Sequence, residues 1–339
     1  MSMQIVLASA GLMAAILCAG LMGFAIQRGA TCTVAAVDEI VGRRRFARLG
    51  AIGEAALWVA TGLLLANAVG MLGAVPSGYA VTRHTFLGAA LLGVGAYVNR
   101  ACVFGAVARL GSGEWAYVLT PVGFYLGCLS LPYLVAMPAT HRLSQGSPVL
   151  EASAGVAALA GAAMLLRLLF TLRAAWHADA DRSTPPRMLA ERVWSPHIAT
   201  TVIGMSFVAL LLLVGAWAYT DVLAELARGM SDNLVVRGAL LLALFAGAIF
   251  GGPGQRRGTG TSISMPQVLR CLSGGALMGW GSMLIPGSND GLILVGIPLL
   301  WPYAWLAFTV MCATIAGAQW LERTFVALRS ARRMPFSPR

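Results

Sequence analysis

Apolar stretches of about 20 residues or more, the length needed to cross a bilayer, recur along the whole chain. They are separated by short segments rich in arginine, glycine or proline. The pattern predicts membrane spans near 5–25, 49–73, 84–110, 116–138, 150–172, 197–218, 238–255, 267–294 and 299–320. The first stretch, Ile5 to Ala25, has no basic n-region and reads as a span, not a cleaved signal peptide.

Three places interrupt the apolar pattern. After the first span, residues 26 to 42 give a polar break and a short helix that ends at Asp38, Glu39 and Gly42, too short to cross. A re-entrant half-helix is the economical reading, because irregular backbone at membrane depth must be buried in protein or line a cavity. The other two breaks resemble each other. The run ALLGVGAYVNRACVFG (90–105) recurs as GALMGWGSMLIPGSNDG (275–291), with Gly93 falling on Gly279, Gly95 on Gly281, Cys102 on Ser288 and Gly105 on Gly291. Interrupted apolar segments at matching positions of two halves point to a transporter's solute site. Predicted span three runs inward and span eight outward, so the expected fold is all-α, with about nine spans in two inverted-repeat halves whose broken helices meet at mid-membrane. The expected divisions are a membrane half at 1–172, a cytoplasmic linker at 173–196, a second membrane half at 197–325 and a basic tail at 326–339.

Composition supports a membrane class: 58% of residues are hydrophobic and 11% charged, against roughly 25% charged in soluble proteins. The net charge of +11 comes entirely from arginine among the basic residues. Its distribution fits loop topology and not nucleic-acid binding: Arg43, Arg44, Arg45 and Arg48 share a loop, Arg173, Arg182, Arg187 and Arg192 a linker, and Arg329, Arg332, Arg333 and Arg339 the tail. Nine spans put all three on the cytoplasmic side, with the N-terminus outside and the C-terminus inside. Residues 219 to 237 read as an amphipathic helix and turn on the outer face.

Candidate chemistry lies in the breaks. At the first, Gln27, Arg28, Thr31 and Cys32 are costly to bury in lipid, and a half-helix starting there would offer amide groups to an anion. Asn99, Arg100 and Cys102 form the second set, and Gly287, Ser288 and Asn289, after Pro286, the third. Asp290 would repel an anion unless neutralised or turned away. Cys271 is a weaker candidate that could be reached from the cytoplasm; Cys18, Cys128 and Cys312 read as apolar fillers. No CxxC pair, metal-ligand spacing or cofactor motif is present. The segment GGPGQRRGTGTS (251–262) lacks a P-loop lysine and reads as a loop. Gly93 and Gly95 read as helix-packing notches.

The motifs GFAIQRGATC (23–32), NRACVFG (99–105) and the glycine-framed break at Ser288 resemble the YeeE/YedE-type sulfur transport family, across almost the whole chain. The resemblance implies a bacterial inner-membrane thiosulfate permease, not an enzyme, shaped as an hourglass with one cysteine per break. Thiosulfate would pass along the thiols by transient S–H hydrogen bonds. Residue by residue this assigns Cys32 and Cys102 to the path. The family has glycine then cysteine at the third break, where this chain has Gly287 and Ser288, so the third thiol is missing. The resemblance further implies a separate cytoplasmic sulfur-carrier or rhodanese-type partner. Two other readings stand beside it: a permease of the same fold for another small solute, and a membrane thiol-redox protein.

Overall fold

The computed structural model describes residues 3–137, 141–180, 194–230, 233–252, 263–285 and 287–332. Helix α1 (Met3–Arg28) ends at a break and is followed by the short α2 (Thr33–Arg43) and then α3 (Ala47–Ala68). A second broken pair, α4 (Arg83–Asn99) and α5 (Val103–Gly111), leads through one 3-10 turn into α6 (Leu119–Leu134). After α7 (Ala154–Ala180) the same order recurs: α8 (Pro196–Val214), the short α9 (Tyr219–Ala227) and α10 (Leu234–Gly251). The last elements are the broken pair α11 (Met265–Leu284) and α12 (Asn289–Gly291, extended by π-helical turns over Leu292–Gly296), and then α13 (Pro302–Arg332).

Among the described residues eight helical runs are long and apolar enough to cross a bilayer, and α11 with α12, bent by 54° at their break, makes a ninth if the pair is taken as one span. These coincide with the nine predicted spans. The first break differs in detail from a re-entrant loop: α1 and α2 together form one interrupted run, Ser9–Arg43. A single left-handed residue, Ala30 (φ 45°), lets the chain pause and resume. The helix at 219–227 is not a surface element; Tyr219, Thr220, Val222, Leu223 and Ala224 are buried.

Close helix approach places the breaks. An added Cβ at Gly95 would lie 2.7 Å from the Gly274 carbonyl oxygen, and one at Gly281 2.5 Å from that of Gly88, so α4 and α11 touch backbone to backbone. The neighbouring glycines seat each pair's outer flank: Gly93 lies against Met311 and Thr314 of α13, and Gly279 against Phe124 of α6. That reciprocity is in keeping with a two-fold relation between the halves. Helix α7 sits at the edge, with Leu159, Leu165 and Phe170 exposed. It is pinned to α3 by two contacts from Arg167 to Glu54 (3.1 and 3.2 Å), and the same carboxylate meets His197 Nδ1 of α8 at 2.6 Å. Residues 181–193, 253–262 and 333–339, with Arg182, Arg187, Arg192, Arg256, Arg257, Arg333 and Arg339, lie outside the described residues, as does Pro286.

Candidate functional site

Four short helices begin at four breaks, and their N-termini meet. Each break holds one residue with positive φ: Ala30 (45°), Arg100 (59°), Gly215 (85°) and Gly287 (129°). The residues before the short helices, Cys32, Cys102, Ala218 and Ser288, are all extended. None caps its own helix with its side chain, so the first-turn amides are open to neighbours or to a ligand.

Neighbours close the four ends into a ring. The Thr33 N–H of α2 donates to Cys102 Sγ at 3.2 Å, and the Cys102 thiol stands 3.8 Å from Cys32 Sγ. Tyr219 of α9 donates its hydroxyl to the Val103 carbonyl of α5 at 2.9 Å. The Thr220 N–H of α9 donates to Asp290 of α12 at 3.3 Å, and the Thr220 and Ser288 hydroxyls both contact the same carboxylate. Asn289 Nδ2 of α12 approaches Thr33 Oγ1 at 3.5 Å, completing the circuit. Cys102 is fully buried and Cys32 half-buried.

A cavity opens toward the ring from each side. One, of about 620 Å³, reaches Cys32 and Gly105 and carries Arg48, Arg100, Arg109 and Arg270 against Asp38 and Glu322. The other, of about 710 Å³, reaches Gly287 and Gly291 and carries Asp221, Glu225, Arg228 and Arg237. Arg48 lies at the start of α3, whereas Pro76 and Tyr79, in the second cavity, follow its end. At 1.5 Å per residue that 22-residue helix separates them by roughly 33 Å. The cavities therefore open on opposite faces, with the ring between them.

The residues expected at the site divide. Cys32, Cys102, Asn289 and Ser288 gather at the ring, and Arg100, exposed, lines the first cavity. Gly287 lines the second. Asp290 is turned away: it accepts from Thr220 and from the Gly291 N–H (3.1 Å), so its carboxyl group sits on the start of α9. Gln27 packs at the α1–α5–α10 junction, with Nε2 3.4 Å from Ser112 Oγ. Arg28 is buried with its guanidinium over the Phe24 ring, 5.3 Å from the centroid. Thr31 borders a small recess against α3 and α8. Asn99 is fully engaged in repairing its break, donating to the Ala101 carbonyl (2.8 Å) and accepting from Thr120 (3.0 Å). Cys271 lies in a separate apolar cluster with Ala101, Leu110 and Tyr117, and does not supply a third thiol at the ring. Sequence reasoning missed the fourth break and with it Tyr219 and Thr220. The signal was there: an acidic residue, Asp221, in the first turn after an apolar span is a helix-start feature, and a repeat demands a counterpart of the first break.

Eight or nine spans among the described residues, two opposed cavities and a ring of half-helix starts between them define a multi-pass membrane transporter. Residues 28–317 match the family described as sulphur transport, and the chain belongs to it. Among its relatives is the thiosulfate transporter TsuA of Escherichia coli (strain K12), 23% identical over 349 aligned positions that cover 91% of this chain and 94% of the relative.

Proposed function

We propose that this protein takes up thiosulfate across a bacterial inner membrane, passing it between the two cavities through the ring. The observation that carries the reading is Cys102: a buried thiol, held by the Thr33 N–H and 3.8 Å from Cys32, at the neck of two charged cavities. Thiols are weak donors and soft, polarizable partners. Together with open half-helix amides they replace part of a sulfur anion's hydration without trapping it, which conduction requires. A paired arginine cage would hold a dianion too well; Arg28 packs and Arg100 guides. The membrane halves at 1–172 and 197–325 each supply two of the four short helices.

Arg48, at the end of the basic Arg43–Arg48 loop, lines the first cavity, which supports a cytoplasmic placement for that side, with the N-terminus outside and the C-terminus inside. A fluorescent protein fused to the C-terminus should then fluoresce in living cells; a dark, correctly inserted fusion would reverse the orientation. Four arginines at the inner cavity suit release of an anion to a separate sulfur-carrier or rhodanese-type protein. The uptake test is growth: a bacterium stripped of other thiosulfate uptake routes, given this chain and thiosulfate as sole sulfur source, should grow. Absence of growth with the protein inserted would favour a different small solute, the reading that Ser288 in place of a third thiol suggests.

A further inference from the structure

At the third break the residue standing where the family has cysteine is Ser288, yet its hydroxyl is already committed. It donates to Asp290 and also contacts Thr220 Oγ1. Turning that hydroxyl toward a passing anion would break its contacts with both Asp290 and Thr220. Ser288 is therefore poorly placed to act as the third donor.

The next residue is in the opposite condition. Asn289 is 1% exposed, and among the described residues its Oδ1 has no hydrogen-bond partner and its Nδ2 has only the long 3.5 Å approach to Thr33 Oγ1. Thr33 is the residue whose N–H holds Cys102 and which follows Cys32, so the carboxamide stands one residue from both thiols. Two residues before it, Gly287 borders the second cavity. A half-turn of the carboxamide exchanges its two ends. Oδ1 then accepts from the Thr33 hydroxyl, and the NH2 group, with two donors, faces the place where Oδ1 now finds no partner. We propose that Asn289 is the third anion-recognising group of the path, taking over from the missing thiol and discriminating for anions with hard terminal oxygens next to soft sulfur. This inference rests on the thiosulfate reading.

The test is uptake of radiolabelled thiosulfate into proteoliposomes, with each variant's thermal melt and elution profile as folding controls. Asn289→Ala removes hydrogen bonds to a charged solute, worth about 1.5–3 kcal/mol, so uptake at limiting substrate should fall roughly 10- to 100-fold. Asn289→Asp keeps the shape but replaces donors with negative charge, and should fall at least as far. Asn289→Ser restores one donor and should recover part of the loss. Because it is isosteric, the Asp variant carries the test if the Ala variant does not fold. Uptake by Asn289→Asp within about two-fold of wild type would overturn the inference, as would a larger loss in Ser288→Ala than in Asn289→Ala with both folded. Wild-type vesicles that take up no thiosulfate would instead reject the substrate reading, and this inference with it.

Discussion

Asn99 holds the second break together with its own side chain. Its carboxamide donates to the Ala101 carbonyl and accepts from Thr120, while its backbone carbonyl accepts from Tyr117 at 3.2 Å. Removing it strands the Ala101 carbonyl and the Thr120 hydroxyl in a buried place, at a cost of about 1–3 kcal/mol. Asn99→Ala should therefore lower the melting temperature of the purified protein, while Thr120→Val, which removes only one partner, should lower it less; equal melting of Asn99→Ala and wild type would contradict the repair role. Sequence could say that Asn99, Gln27 and Arg28 are too polar to face lipid. It could not say whether each faces a passage or mends backbone, because that depends on partners such as Thr120, Ser112 and Phe24, far along the chain. Cys32 and Cys102 were legible for another reason: each immediately precedes a short helix, and helix starts leave a local trace in the sequence.

At the scale of elements, the long apolar spans were legible because about 20 consecutive apolar residues have few other uses. Helix α9 was legible as a helix but not as a buried one, because a short amphipathic stretch looks like a surface helix until α12 is set against it. Helix α7 poses a different problem. It is apolar enough to cross but shows most of its surface, and Glu54 on α3 binds it through Arg167 while also meeting His197 of α8. Arg167 and His197 are 45% and 38% exposed, so screening keeps the net contribution modest. Glu54 itself is largely buried. Glu54→Ala should cost about 1–3 kcal/mol, in the range for hydrogen bonds to charged groups, and should loosen α7. Limited proteolysis in detergent checks this, with faster cutting after α7 expected in the variant; an unchanged digestion rate would show that α7 is held by other contacts.

At the scale of the whole molecule, two opposed cavities meet at four helix starts drawn from both halves of the chain. Gly93 against α13 and Gly279 against α6 let the two broken pairs pack closely on their outer flanks. Weak sequence self-similarity could hint at this convergence but not locate it, since a ring made of Thr33, Cys102, Tyr219, Asn289 and Asp290 is assembled entirely by long-range contacts. What such a ring offers a sulfur anion is a short neck with two thiols 3.8 Å apart, whereas Cys271 lies in its own apolar cluster and Cys128 packs against the Gly279 carbonyl. The most direct measurement is labelled thiosulfate uptake into proteoliposomes by Cys32→Ala and Cys102→Ala, beside Cys271→Ala. Uptake should fall by at least about ten-fold in the first two, the loss of roughly one hydrogen bond to a charged solute, and stay near wild type in the third. Folded Cys102→Ala protein that transports thiosulfate as fast as wild type would contradict a path through the ring.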